Sequence, residues 1–253
     1  MGDDALDVAA QLGPFFVVEW WTPDSGWRPL TELVGRPELL GERVGSTRAL
    51  LADRSGVPIS AVEERAAASI LFLGLAARLV SPAFGCAALT GQVPGLGLED
   101  LWWRSVTGGP WPMARSGSAN STPAPDPSHE LHDRVIAPVV DPILESFAST
   151  FALSTQVLWG NVASSLAGAQ TILSAARPDR AAAGSQILEG MLAQGPLQGT
   201  LRLDASRPGF VRRSCCLFYR VPRTGVCGDC VLDHVPTPAP RDSTEPGTRR
   251  TRA

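Results

Sequence analysis

The cysteines limit the folding of this chain more than any other feature. Four of the five lie within residues 215–230, as Cys215, Cys216, Cys227 and Cys230, in the spacing C-C-x10-C-x2-C. Four sulfur ligands on one segment can hold a metal ion or an iron–sulfur cluster. We therefore expect this segment to fold as a cysteine-rich loop that the rest of the chain supports.

The composition indicates where such a site would operate. The chain has 253 residues, of which 44% are hydrophobic, and a net charge of −3, so it can bury the core of a globular protein. The acidic first residues lack the basic region of an export signal, and the apolar run 66–77 is too short to span a bilayer. We expect a cytoplasmic protein without a transmembrane segment, in a compartment where disulfides rarely persist. The acidic average argues against nucleic-acid binding.

The hydrophobic pattern is mainly that of helices. Apolar residues at helical spacing predict helices over 37–52 and 60–80 in the first half of the chain, and over 131–151, 154–177 and 181–193 in the second half. Prolines within 131–151 are expected to kink that helix.

Short β elements are predicted between the helices of the first half. The stretch 15–21 is rich in aromatic and β-branched residues and precedes a turn-like sequence, and the stretches 98–104 and 111–115 flank a Gly-Gly pair that suits a hairpin turn. The predicted fold class is therefore mainly α (α+β), a helical domain with short β-hairpin elements and a C-terminal cysteine-rich cluster loop.

Changes in composition divide the chain. The stretch 114–128 is rich in Ser, Ala, Pro and Gly and lacks apolar periodicity, so we interpret it as a flexible linker. The predicted division is an N-terminal helical region with short strands (1–113), the linker (114–128), a second helical region (129–200), the cysteine-bearing segment (201–235) and a disordered tail (236–253).

Spacing alone leaves four interpretations of the cysteines open. A structural zinc site is usually built from two separated C-x2-4-C pairs, and only 227–230 has that form. Neighbouring cysteines in an extended chain point to opposite sides, so Cys215 and Cys216 are poorly placed to bind one ion. A diiron cluster tolerates them, because it takes two ligands at each of two metal centres. A thioredoxin-like dithiol would begin a helix, and the compartment disfavours disulfides.

The cysteine segment resembles a known family. The stretch 212–220 (RRSCCLFYR), followed by CGDC at 227–230, is similar to the C-terminal motif of the FhuF-like ferric siderophore reductases. Upstream, LWGN at 158–161 resembles a helical segment of the same family. Members of the family often have proline after the last cysteine, where this chain has Val231, but that position is not a ligand.

The resemblance implies a cofactor, an activity and partners. The four cysteines would bind a [2Fe-2S] cluster in the segment 201–235, and the protein would reduce Fe(III)-siderophore by one electron to release Fe(II) in the cytoplasm. The chain lacks a dinucleotide-binding glycine motif, so electrons would come from a separate donor such as a ferredoxin, a flavin reductase or a small carrier. Transient docking at a siderophore importer is a further expectation.

Arginines surround the cysteines in the sequence. The stretch 200–223 contains six arginines and one acidic residue. Guanidinium groups near an anionic cluster favour its reduced form, and they also attract an anionic ferric siderophore or an acidic donor, although each arginine can equally belong to a solvated basic loop. We name five residues that would support the cluster or dock the substrate: Arg212, Arg213, Arg220, Trp159 and Asn161.

The remaining chemically active side chains have structural interpretations. His129 and His132 are expected in the polar first turn of a helix. His234 would at most donate a hydrogen bond beside the cluster, and Cys86 is expected to be a small buried hydrophobic residue. A second class of function stays open. It is a non-enzymatic binding module whose four cysteines hold a structural zinc or cluster. Relatives in siderophore synthetases need no cluster, and the four intact cysteines argue against that function.

Overall fold

The computed structural model describes residues 4–23, 26–106, 109–203 and 209–236. Its helices are α1 (Ala5–Ala10), α2 (Glu32–Gly35), α3 (Pro37–Ser55), α4 (Glu64–Thr90), α5 (Pro127–Leu131), α6 (Asp141–Phe151), α7 (Thr155–Ala176) and α8 (Ala181–Leu192). Its strands are β1 (Glu19–Trp20), β2 (Arg28–Pro29), β3 (Gln92–Val93), β4 (Leu101–Trp103), β5 (Met113–Arg115), β6 (Thr122–Pro123), β7 (Leu201–Leu203) and β8 (Phe210–Arg212). This mainly helical architecture with short strands confirms the predicted fold class. Gly108, Arg207 and the predicted tail beyond residue 236 lie outside the described residues.

Helix α4 forms the centre of the fold. It packs against α7, α1, α3 and α8, and apolar residues cover nearly its whole circumference. By length and composition α4 could cross a membrane, but 78% of its most apolar 18-residue window is buried inside the protein. The helix therefore has the burial of a core helix.

A buried arginine interrupts the apolar surface of α4. Arg78 is 3% exposed, and its guanidinium donates to the carbonyls of Trp111 (2.7 Å), Pro14 (2.7 Å) and Val17 (2.5 Å). Burial lowers the pKa of Arg78 to about 10. Because three carbonyls accept from this side chain, α4 is tied to the N-terminal segment and to the loop before β5.

The ends of α4 differ from the prediction over 60–80. The helix begins at Glu64 and ends at Thr90, where Gly91 adopts a left-handed conformation with φ 69°. Pro82 lies inside the helix and is buried. The sequence does not indicate where this longer helix ends, because a helix that is buried on all sides has no polar face that marks its first and last residues.

The short strands form three small sheets. The largest has the order β1-β5-β4-β2, and β4 pairs antiparallel with β5, with Trp102 opposite Ala114, as the predicted hairpin requires. Trp103 stacks on Trp111 with ring centroids 4.7 Å apart. Both β5 and β6 include residues of the stretch interpreted as a linker, and β6 pairs with β3. The predicted division into domains stays a prediction.

The second half is a set of helices that packs on α4. Between α5 and α6 the chain forms a π-helical stretch, His132–Val140, which contains Pro138. A proline removes one backbone donor and displaces the preceding turn, which accounts for the widened helix where a kink was predicted. Helices α7 and α8 match the predicted helices, and Ser154 occupies the N-cap of α7.

The C-terminal segment lies across two helices. The antiparallel pair β7–β8 packs on α7, and a short helical turn at Phe218–Arg220 contacts α4. The four cysteines follow β8, so both long core helices support the loop that carries them.

Candidate metal centre

Backbone hydrogen bonds bring the two cysteine pairs together. The Arg212 N–H at the end of β8 donates to the Asp229 carbonyl (2.9 Å), so the first pair leaves the strand beside the turn that carries the second pair. The Cys230 N–H closes that turn on the Cys227 carbonyl (3.2 Å). Leu217, with φ 66°, reverses the chain directly after the first pair.

The four clustered cysteines lie outside any disulfide and are partly buried, and two of their sulfurs are close together. Cys216 Sγ lies 3.4 Å from Cys227 Sγ. Two sulfurs on one tetrahedral metal, with metal–sulfur bonds of about 2.3 Å, would be about 3.8 Å apart. Cys216 and Cys230 are buried, and Cys215 and Cys227 are half-buried. The paired sulfurs therefore suit two ligands on one metal centre.

The described residues contain no group of three or more His, Cys, Asp or Glu side chains placed to hold a single metal ion. A structural zinc ion requires four ligands around one centre. A diiron cluster requires two ligands at each iron, which the Cys216–Cys227 pair can supply at one of them. The sulfur pair therefore fits one iron of such a cluster.

Backbone amides and a shared proton determine the charge on the sulfurs. The Leu217 N–H donates to Cys215 Sγ (3.3 Å) and the Leu232 N–H donates to Cys230 Sγ (3.4 Å). The hydrogen bond between the two thiols holds the pKa of Cys216 below its usual value, and the same bond raises the pKa of Cys227. Burial raises the pKa of Cys215. A metal that binds here must displace the remaining thiol protons.

Arg212 places a buried positive charge beside the sulfurs. The residue is 0% exposed, one Nη2–H donates to Asn161 Oδ1, and its Nε and Nη1 have no hydrogen-bond partner among the described residues. Asn161 in turn donates from Nδ2 to the carbonyl and hydroxyl oxygens of Ser69 (3.0 and 3.1 Å).

A buried guanidinium with two unused donors is costly unless an anion lies nearby. The charge of Arg212 contributes to lowering the pKa of Cys216 and opposes the rise at Cys215, so it acts on the sulfurs. A diiron cluster with four thiolate ligands is anionic. The unused donors of Arg212 therefore fit the cofactor that the cysteines suit.

A close approach explains the glycine in the LWGN stretch. A Cβ atom at Gly160 would collide with the Ser214 hydroxyl and lie 3.2 Å from Arg212 Nη2. Ser214 also donates to the Gln156 carbonyl of α7 (3.1 Å). The backbone of α7 thus contacts the residue before Cys215, which only a glycine permits here. Sequence reasoning singled out Trp159 and Asn161 and missed Gly160 and Ser69, although Gly160 stands between the two named residues.

The other two named arginines lie elsewhere. Arg220 is exposed and pairs with Glu63 at the start of α4 (2.8 Å), which fastens the cysteine loop to that helix. Arg213 is exposed at the mouth of a cleft of about 200 Å³. Trp159, Arg213 and Ser214 line this cleft together with residues from the start of α7 and the turn before β7, namely Thr155, Gln156, Pro196, Gln198, Gly199 and Thr200.

The structural interpretations of the remaining side chains agree with their surroundings. His129 and His132 each lie 3.2 Å from the Asp133 carboxylate near the start of a helix. His234 is exposed. Cys86 is buried, and burial raises the pKa of its thiol to about 12, so it stays protonated.

Comparison with known proteins identifies the cysteine segment. No curated protein sequence matches the chain. Residues 212–232 match the family model described as FhuF 2Fe-2S C-terminal domain, and all four clustered cysteines lie inside that match. The C-terminal segment is therefore similar to a domain that binds a [2Fe-2S] cluster, and this match supports a [2Fe-2S] cluster as its cofactor.

Proposed function

We propose that this protein is a ferric siderophore reductase of the cytoplasm, which delivers one electron to Fe(III) in a siderophore complex. The observation that carries the proposal is the FhuF 2Fe-2S match over four cysteines outside any disulfide, beside a buried arginine that has no acidic partner among the described residues. When bound, a [2Fe-2S] cluster accepts and donates one electron at a time.

The chain's own residues would hold the cluster and balance its charge. Cys216 and Cys227 are close enough to share one iron, which leaves Cys215 and Cys230 for the other. The amides of Leu217 and Leu232 donate to two of the sulfurs and favour their anionic form. Arg212, held in place by Asn161, favours the additional negative charge of the reduced cluster.

The cleft beside Cys215 is the proposed substrate site. Arg213 supplies a solvent-facing positive charge and Trp159 an aromatic wall, directly next to the cysteine loop. An anionic ferric siderophore that places one chelating arm there would bring its iron near the cluster. Reduction weakens binding by hard oxygen ligands, because Fe(II) carries less charge than Fe(III). The electron would come from a separate ferredoxin, flavin reductase or small carrier, and docking at an importer would supply the substrate.

Anaerobic purification and single-turnover transfer test the proposal. We expect reddish-brown protein with about two iron atoms and two sulfides per chain, whose colour bleaches with dithionite. Reduced protein, freed of dithionite and mixed with a ferric siderophore, should regain its oxidised spectrum while a ferrous chelator traps one Fe(II) per chain. Stable reduced protein beside unchanged ferric complex would instead support the binding module, and colourless protein with one zinc would contradict both the cofactor and the activity.

A further inference from the structure

A cavity that is larger than the cleft beside Cys215 lies in the N-terminal half of the chain. It has a volume of about 370 Å³ and is bounded by α3, α4 and the segment after β4. Such a volume lies in the range of about 300–1,000 Å³ that small-molecule sites occupy. Its apolar wall consists of Phe15, Leu50, Leu51, Ile70, Leu71, Leu75 and Trp111.

The charge in this cavity is of one sign. Arg43 and Arg54 are the charged side chains among its described lining residues, and the other polar groups are the hydroxyls of Ser46, Thr47 and Ser105. An apolar cleft with positive charge and no acid attracts anions, because its low-dielectric walls strengthen the field of the arginines.

The described residues hold Arg43 in place without an ion pair to a carboxylate. Its Cζ lies 5.3 Å from the Trp111 ring centroid and 5.9 Å from that of Trp103, and Nη1 donates to the neutral Ser105 hydroxyl (2.5 Å). Its Nε is buried and has no hydrogen-bond partner in the described part of the chain. Burial, followed by repulsion from Arg28, lowers the pKa of Arg43. The two tryptophan rings and the neutral hydroxyl therefore hold the guanidinium at the cavity and leave its charge available to an anion there.

We propose that this cavity binds an organic anion in which one oxyanion group, such as a carboxylate, is attached to an apolar body of aromatic size. The oxyanion would accept from Arg43 and lie near Arg54, and the apolar body would pack on the leucines of α3 and α4. None of the described lining residues belongs to the cysteine segment, so this site is independent of the proposed reductase activity.

Calorimetric titration of the anaerobic holo-protein with naphthoate tests the site. We expect one naphthoate per chain, at least tenfold weaker binding of the neutral analogue naphthalenemethanol, and no displacement by equimolar inorganic phosphate. If naphthalenemethanol bound as tightly as naphthoate, the arginines would not contribute to binding and the proposal would be wrong. Displacement by phosphate would reduce the cavity to a simple anion site and overturn the proposal.

Two variants locate the binding. Gly74 lines the cavity and has open space around its Cβ position, so Gly74→Leu should fill the mouth and weaken binding at least tenfold. Gly45→Leu is the matched control, because Gly45 is also a helical glycine with open space but does not line the cavity. Arg43→Gln should also weaken naphthoate binding at least tenfold while the affinity for naphthalenemethanol stays within twofold. Unchanged binding in Gly74→Leu would show that naphthoate binds elsewhere.

Discussion

Two buried arginines, one in the helical core and one beneath the cysteine segment, have opposite surroundings. Arg78 on α4 donates from three nitrogens to three backbone carbonyls. Arg212 at the end of β8 has one described partner, the Asn161 amide oxygen, and two unused nitrogens. The fold can therefore satisfy a buried guanidinium completely where the residue serves packing. Where two nitrogens have no partner among the described residues and four thiols lie nearby, an anionic cofactor fits the site.

The largest effect is expected from replacing a cysteine that ligates the cluster, because the anionic cluster is then lost. Cys215→Ser and Cys230→Ser should each abolish the reddish-brown colour, because a hydroxyl is a poor substitute for a thiolate at iron. Iron and sulfide analysis of anaerobically purified protein provides the measurement. Cys86→Ser is the matched control and should keep both the colour and the cluster content, since Cys86 is a buried thiol of the first half. Colour loss in Cys86→Ser would contradict the ligand set.

Arg78→Leu tests how much the buried arginine of the helical core stabilises the fold. This change leaves three carbonyls without their donor, so we expect the free energy of unfolding to fall by about 3 kcal/mol or more. Urea unfolding followed by circular dichroism measures the loss. Arg65→Leu is the control, because Arg65 is an exposed arginine on the same helix and should change stability by less than about 0.5 kcal/mol. If Arg78→Leu and Arg65→Leu were equally stable, the hydrogen bonds of Arg78 would not stabilise the core.

Helices α7 and α8 and the cysteine segment were easier to predict from the sequence than the length of α4. Regular apolar spacing located α7 and α8, and the paired cysteines located the metal site, because both signals lie within short stretches. The C-terminal end of α4 was predicted too early, since Pro82 looks like a helix stop until its burial inside the helix is known.

Contacts between distant residues were beyond sequence reasoning. Nothing in the sequence ranks Arg212 above Arg220, and only the fold separates the buried Arg212 from Arg220, which pairs with Glu63. Ser69 supports Asn161 from 92 positions away, and no local pattern indicates that contact. The shape of the cavity beside Arg43 likewise depends on three elements that tertiary packing brings together.

A smaller effect is expected at the contact between α7 and the cysteine loop. In Gly160→Ala the new methyl group would collide with the Ser214 hydroxyl, so this hydroxyl must leave the Gln156 carbonyl and the Arg212 side chain must shift, and we expect a loss of about 2 kcal/mol in unfolding free energy. The displaced loop should also lose its cluster faster in air, as followed by the decay of the visible spectrum. Gly168→Ala is the matched control on the same helix. It has open space at Cβ and should be stabilised by up to about 1 kcal/mol. Identical decay in both variants would show that the close approach does not support the cluster.

The smallest predicted effect isolates the charge of Arg212 itself. Arg212→Met removes a positive charge that favours the reduced cluster, so the midpoint potential should fall. We expect the equilibrium constant for reduction to drop about tenfold, which corresponds to about 59 mV for one electron. Spectroelectrochemical titration of the holo-protein gives the potential directly, without any siderophore.

Two companion variants separate this charge effect from a general disturbance of the loop. Arg212→Lys keeps the charge but loses the planar group that bonds Asn161, so its potential should lie closer to the original value than that of Arg212→Met. Arg220→Gln removes an exposed arginine of the same loop and should leave the potential unchanged, because Arg220 pairs with Glu63 in solvent. If Arg212→Met and Arg220→Gln shift the potential equally, the buried arginine is not the counter-charge of the cluster. If Arg212→Met alone shifts it, the two unused donors beneath the cysteines are explained by the cofactor that they face.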